Sequence, residues 1–402
     1  MTVGLRAPIQ RLSSHDALFL HWEHPWQPMH VGETLVYDGE FTADDMVAML
    51  EARMASLPRY RQRVVFPPFG ISHPTWEDDP DFDVRNHVDE RWLPPEAGDA
   101  DLSTFLGTIF MELIDRSHPL WHMTIVHGHD SGNTIAFLKL HHSMVDGVSS
   151  IEVIEVLHSP APPASSDVTE ALPPRSRGVL LREAVADELD RGLEAVGIAV
   201  KLLREGRVSE LVQRGGVIGR TLRDIAPMLV SRPPGTPFNA PITPRREVAW
   251  LNLPMEEVHQ VRRKLGATVN DLVLTVLAGA LGAQMERGGF ATDGEPLRCM
   301  VPWSVRQASQ AGSLGNAVSM VVAPLFVDED DPRDRLTAQQ TAMADLRGKE
   351  QAVGIHELIA VGEWVPAPLY ALIWKHWPRR YFPFNFVSSN VRGPAEPLFL
   401  DE

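Results

Sequence analysis

A disulfide-bonded framework is excluded at once: the 402-residue chain holds one cysteine, Cys299, and one thiol cannot close an internal bridge. It lies in Leu297-Arg298-Cys299-Met300-Val301, which reads as a buried strand, so it is expected to be a small core residue and not a nucleophile. Long apolar runs are missing as well. No stretch reaches the roughly 20 apolar residues of a membrane-spanning helix; the nearest, Leu272 to Gly282, is too short. Met1 to Ser14 lacks the apolar centre of a secretory signal. The chain is therefore expected in the cytoplasm, lying at most on a membrane surface. Basic charge is scarce: Lys and Arg number 37 against 53 Asp and Glu, a formal net charge of −16. That argues against a nucleic-acid partner, while a local basic patch would still serve an anionic substrate. Gly-x-Ser-x-Gly and His-Glu-x-x-His segments are absent, which speaks against a serine hydrolase of that type and a zincin.

What is present suggests two α/β domains. The length exceeds that of one ordinary core. Met29 to Tyr37 is rich in strand formers. Thr42-Ala43-Asp44-Asp45 resembles a capping box, and Met46, Met49, Leu50 and Met54 then recur at helical spacing until Pro58. A methionine stripe of this kind is read as core. A helix is expected over Leu102–Asp115, strands over Met123–Val126 and Thr134–His142 with a turn at Gly128–Asn133, and a helix over Val148–Leu157. Ser159 to Ser176 loses all periodicity and is rich in Pro, Ser and Ala, as a linker is. Val179 to Val230 reads as helices, and Arg232 to Pro244 as a second Pro-rich crossing. Strand signals resume at Glu247–Leu253, Leu297–Val301, Ala317–Val327 and Phe384–Asn390, with helices at Met255–Leu265 and Val269–Met285. The expected division is an N-terminal domain over 1–158, a Pro-rich and helical linker over 159–245, and a C-terminal domain over 246–402.

The segment His141-His142-Ser143-Met144-Val145-Asp146-Gly147 carries the chemistry. Side chains alternate along a strand, so Ala136, Leu138, Leu140 and His142 would share one face. His142 would then stand at the end of an apolar face, where an imidazole stays neutral near pH 7 as a general base must. Gly147 permits a tight turn. Asp146 is placed to brace the loop or to meet a histidine. Adjacent strand histidines point to opposite faces, which makes joint metal ligation awkward. A satisfied core histidine is the plain alternative for one residue, and four fixed residues together weigh against it.

The same segment resembles the HHxxxDG signature of the coenzyme A-dependent acyltransferase superfamily. Further segments resemble the bacterial wax ester synthase/diacylglycerol acyltransferase family in order along nearly the whole chain: Leu12-Ser13-Ser14-His15-Asp16-Ala17-Leu18-Phe19-Leu20, Pro28-Met29-His30-Val31-Gly32, Pro119-Leu120-Trp121, Asn270-Asp271, Val301-Pro302-Trp303-Ser304-Val305-Arg306, Leu314-Gly315-Asn316, and Asn390-Val391-Arg392-Gly393-Pro394. The resemblance implies two α/β sandwich domains of the chloramphenicol-acetyltransferase type with an active-site tunnel between them. It implies acyl-CoA as a substrate and no permanently bound cofactor. It further implies that His142 deprotonates a lipid hydroxyl and that Asp146 is mainly structural, with His141 beside them in the catalytic segment. The products would be triacylglycerol or wax ester; a carrier-protein thioester, another acceptor, or acyl-lipid binding without turnover are the competing uses.

Asn270 has an argument of its own. It would sit in the first turn of a helix opened by Thr268, where free amide N–H groups concentrate positive potential, and its side-chain amide would suit an oxyanion. Pro119-Leu120-Trp121 reads first as a loop anchored by a buried Trp, with a channel-shaping part implied by the resemblance. Gly315 and Asn316 read as a turn before an apolar strand. The sequence ends eight residues after Pro394, short of the further strands and helices the family implies, so a shortened C-terminal domain is expected. Val353 to Trp377 is apolar and Trp-rich, with Lys375, His376, Arg379 and Arg380 near its end; this suits a membrane or lipid-droplet interface, against the plainer reading of a buried helix with a basic cap.

Overall fold

The computed structural model describes residues 9–144, 149–158, 171–204, 232–240, 243–290, 294–304, 318–348, 362–377, 384–393 and 398–399. Asp146, Gly147, Gly315 and Asn316 lie outside them, as do most of the first linker and residues 205–231.

Strand β1 (Gln10–Arg11) leads into helix α1 (Ser14–Trp22), whose start is capped by the Ser13 hydroxyl accepting from the Asp16 N–H. Strand β2 (His30–Tyr37) follows, then α2 (Ala43–Arg53). The expected capping box is present: Thr42 and Asp45 satisfy each other's backbone N–H. Met46, Leu50 and Met54 are buried, with Met49 partly so. Strands β3 (Gln62–Val65) and β4 (Thr75–Asp78) pair with β1 in the order β1-β4-β3. Next come β5 (Val88–Ala97), α3 (Asp99–Met111), β6 (Trp121–His129), β7 (Thr134–His141) and α4 (Ser149–Leu157). They form a four-stranded sheet of order β2-β7-β6-β5, in which only β5–β6 runs parallel.

All eight residues of β7 are buried. The cause lies in both faces of the strand: Ala136, Leu138 and Leu140 pack with α2 and α4, while Ile135 and Phe137 pack with α3. Lys139 is the polar exception on the α3 side. Its Nζ donates to Ile109 O at 2.9 Å and Glu112 O at 2.7 Å, closing the carbonyl end of α3. Burial pushes its pKa down to about 8.

The long helix α5 (Arg177–Arg204) precedes α6 (Met255–Leu265) and α7 (Val269–Arg287). Strands β8 (Leu297–Ser304) and β9 (Val318–Leu325), helix α8 (Pro332–Gly348), helix α9 (Ala367–Lys375) and β10 (Phe386–Val387) complete the described elements. The second large sheet, after β2-β7-β6-β5, has the order β10-β8-β9. Its core joins Leu297, Cys299, Val301, Val321, Ala323 and Leu325 to Leu274, Ala278 and Met343. Cys299 is fully buried there, and desolvation pushes its thiol up to about 12, which fits the core role.

Two expected strands need correction. Glu247–Leu253 forms no ladder. Its backbone is spent on α3 instead: the Ser103 hydroxyl donates to Val248 O, and Arg246 O lies where a Cβ on Gly107 would stand. The strand expected over Phe384–Asn390 shrinks to Phe386–Val387, paired parallel with Cys299 and Met300. Ser388 N–H still reaches Met300 O at 2.9 Å, but Pro302 has no N–H to extend the ladder. The helix expected over Leu102–Asp115 starts earlier, at Asp99, where Asp101 reaches back to the Gly98 N–H, and ends at Met111, where the Glu112 N–H turns to Ile109 O.

Candidate active site

The two histidines part company where β7 ends. His141, the last strand residue, pairs across the ladder with His30, the first residue of β2. Its ring is fully buried. The Ser143 N–H donates to His141 Nδ1 at 3.1 Å, and the Ser143 hydroxyl is 2.7 Å from the same nitrogen. With Nδ1 engaged as acceptor, the hydrogen-bond network assigns the ring proton to Nε2. That nitrogen faces Glu23 Oε1 at 3.5 Å, within ion-pair reach but without hydrogen-bond alignment. Burial pushes the His141 pKa down to about 4, with Glu23 opposing the shift. At pH 7 the ring is neutral.

His142 does not stand on the strand face, as alternation predicts; it falls in the turn just beyond β7. Its backbone N–H donates to Met29 O at 2.8 Å. Its ring lies flat on Phe19 of α1, centroids 4.4 Å apart and planes 7° from parallel. The residue is half-buried. One imidazole is thus sealed in the core, and its neighbour is held against an aromatic ring.

Behind them lies Glu23, just past the end of α1, its side chain 3 % exposed. Oε1 accepts from the Met29 N–H at 3.0 Å and lies 3.2 Å from His30 Nε2. Oε2 accepts from Arg116 Nη2 at 2.7 Å and Nε at 3.2 Å. Burial alone would raise its pKa; the contacts from His141, His30 and the Met29 N–H reverse this and hold it well below the usual carboxylate range. Sequence reasoning gave Glu23 and Arg116 no role, and quoted Phe19 and His30 only as parts of motifs. A carboxylate directly following Phe19-Leu20-His21-Trp22 was the one local signal.

Pro119-Leu120-Trp121 is the anchor expected of it. Leu120 and Trp121 are buried; the Trp121 indole N–H donates to Tyr60 O at 2.8 Å, and its ring stacks on His87 at 4.5 Å. Leu120 O accepts the His141 N–H at 2.9 Å, so the motif holds the end of β7 from the other side.

Asn270 occupies the first turn of α7, half-buried. The capping box around it forms as expected: Thr268 Oγ1 accepts from Asp271 N–H at 3.1 Å, and Asp271 Oδ2 from Thr268 N–H at 2.9 Å. Helix α7 packs on α8, α6 and β9, so Asn270 belongs to the second sheet's layer and the histidines to the first. Among the described residues, no group of His, Cys, Asp and Glu is arranged to hold a metal ion.

An open groove of about 430 Å³ lies between α1 and α9, lined among others by Leu20, Glu23, Phe66, Arg116, Leu372 and Lys375. Phe19 and His142 are not among the residues that line it.

The wax ester synthase/diacylglycerol acyltransferase catalytic domain matches residues 12–273, and the C-terminal domain of the same family matches 314–402. A protein of Mycobacterium tuberculosis (strain ATCC 25618 / H37Rv), provisionally named a diacyglycerol O-acyltransferase, is 30% identical over 98% of this chain and 79% of its own length. A second from the same strain, with the same kind of provisional name, is 30% identical over 96% of this chain and 84% of its own. Among solved structures, the wax ester synthase/diacylglycerol acyltransferase from Marinobacter aquaeolei VT8 superposes with a TM-score of 0.61 at 24% identity, covering 97% of this chain and 83% of that one. The first condensation domain of the calcium-dependent antibiotic synthetase shares the fold at a TM-score of 0.53 and 16% identity, covering 86% and 76%. The expected two-domain α/β architecture is thereby supported, and the chain belongs to the wax ester synthase/diacylglycerol acyltransferase family of acyltransferases.

Proposed function

We propose that the protein moves a long-chain acyl group from acyl-CoA to the hydroxyl of a diacylglycerol or fatty alcohol, with His142 as general base. The observation that carries the assignment is the division between the neighbours: His141 is sealed, whereas His142 is half-buried and braced on Phe19. His142 takes the hydroxyl proton as the alkoxide oxygen attacks the thioester carbonyl. The tetrahedral oxyanion collapses, the C–S bond breaks, and the CoA thiolate recovers the proton from the imidazolium. Asn270, half-buried in the first turn of α7, has the amide and the surrounding helix-start potential that suit the oxyanion. In this reading the domains 1–158 and 246–402 face each other across a tunnel, with 159–245 connecting them, and Asp146 and Gly147 shape the loop after His142. The test is thiol release from palmitoyl-CoA with diacylglycerol and with fatty alcohol. Turnover with acyl-carrier protein in place of acyl-CoA, or acyl binding without turnover, would replace this reading.

The same reading places the enzyme at a lipid surface. Among the described residues no single helix is long and apolar enough to cross a membrane. On α9, however, Leu369, Leu372 and Ile373 are 50%, 56% and 43% exposed, next to Lys375, a pattern suited to an anionic interface. Flotation with anionic phosphatidylglycerol vesicles should carry the protein upward, and Leu372→Glu should abolish this. Wild-type protein left at the bottom of the gradient would sink the surface reading.

A further inference from the structure

We propose that Glu23 is a positioning residue: one buried carboxylate sets the backbone and ring plane of His142 and the tautomer of His141. The inference rests on the acyltransferase reading above.

Three connections converge on this side chain. The first runs through the backbone. Glu23 Oε1 accepts the Met29 N–H, and Met29 O accepts the His142 N–H at 2.8 Å. The carboxylate thus fixes the residue that fixes the base. The second runs through α1. The Glu23 N–H closes the helix on Phe19 O at 3.0 Å, and Phe19 is the ring on which His142 lies. Arg116, gripping Oε2 with two nitrogens, holds this helix end to the segment just before Pro119-Leu120-Trp121. The third runs through the histidine pair. His30 and His141 are ladder partners, and both turn Nε2 toward the same oxygen, at 3.2 and 3.5 Å. A carboxylate there favours a proton on His141 Nε2 and leaves Nδ1 to accept from Ser143, the residue after the base.

An anion with so little exposure is costly unless fully partnered. Arg116 and the Met29 N–H supply strong partners, and the two histidine nitrogens complete the ring around it. A carboxamide of the same shape would offer N–H groups to donors that need an acceptor. It would keep the volume and lose the organisation.

The experiment uses the full chain and compares Glu23→Gln, Glu23→Asp and Phe19→Leu with wild type. Steady-state thiol release from palmitoyl-CoA should show kcat down by about 10- to 100-fold in Glu23→Gln, the size expected when a reacting group is displaced by about an ångström. KM for acyl-CoA should stay within about twofold, because a positioning residue acts on the chemical step and not on uniform binding. Glu23→Asp should recover part of the lost kcat. In protein labelled with 15N-histidine, wild-type His141 should show an unprotonated Nδ1, and Glu23→Gln should shift toward the other tautomer. A Glu23→Gln protein with wild-type kcat and unchanged His141 resonances would overturn the proposal. Should both Glu23 variants fail to fold, Phe19→Leu keeps the apolar volume and removes the stack; full kcat there would equally overturn it. The NMR arm needs no turnover, so an inactive wild-type protein would count against the acyltransferase reading while leaving the Glu23 network testable.

Discussion

The two large sheets meet their surroundings differently. In the first, β7 is buried at every position, with α2 and α4 on one face and α3 on the other. In the second, β8 and β9 alternate: Leu297, Cys299, Val301, Val321, Ala323 and Leu325 are buried, while Arg298, Met300, Val322 and Pro324 between them are only partly covered. A sheet closed on both faces holds its strand ends rigidly, and a sheet closed on one face leaves a surface. The histidines stand at the end of the closed sheet. Asn270 stands at the start of a helix over the half-open one. The comparison teaches that the proposed base is set by burial, and the proposed oxyanion donor by local helix capping.

The largest effect expected separates the neighbouring histidines. His142→Ala should lower kcat by about 10²- to 10⁴-fold with little change in Tm, because the ring is half-buried. His141→Ala should instead cost roughly 3 kcal/mol of stability, as removal of a fully buried side chain does, seen as a lower urea midpoint. A His142→Ala enzyme at full rate would break the assignment. Trp121→Ala comes next on the closed side: about 3–5 kcal/mol lost from a cavity in the sheet core, together with the hydrogen bond to Tyr60 O. On the half-open side, Asn270→Ala should reduce kcat by about 10²-fold at unchanged urea midpoint, since no side-chain hydrogen bond of Asn270 is seen among the described residues.

Acid should expose the same contrast by stability alone. His141 and His73 are both buried, and desolvation holds each pKa down to about 4. In the unfolded chain they bind protons near pH 6.5. Between pH 6.5 and 4 the unfolded state therefore carries more protons, so stability is full above 6.5 and is lost as the pH falls toward 4. Glu23, held low in the fold, adds to the same loss on further acidification. Circular dichroism melts should show Tm dropping across this window, and His141→Ala should flatten the drop.

Much of this was readable in the chain, for physical reasons that differ by element. The Thr42 and Thr268 capping boxes are local chemistry within four residues, and both form as expected. The burial of Met46, Leu50 and Cys299 follows from periodicity. The Glu247–Leu253 segment misled because β-propensity is blind to partners: its Val248 carbonyl, and that of Arg246 just before it, meet α3, more than 100 residues earlier in the chain. The His142 orientation misled because strand alternation stops at His141 and an aromatic ring on α1 takes over. The Glu23 network was illegible for the same reason: its partners His30, Arg116 and His141 come from three separate segments, and only the closed sheet brings them together.

The smallest effect expected tests the half-open side most finely. Thr268→Ala removes the hydroxyl that accepts the Asp271 N–H, which should cost about 1 kcal/mol. Asp271 would keep its own bond to the Thr268 N–H, so the helix should fray at its first turn and persist beyond it. Asn270 lies inside that turn. If capping alone orients its amide toward the oxyanion, kcat should fall several-fold along with the small drop in urea midpoint, and Thr268→Ser, which restores the acceptor, should recover both. A stability loss with kcat intact would mean that the packing of α7 on α8, and not the cap, holds the start of the helix; the half-open side would then be as rigid as the closed one where it matters for the reaction.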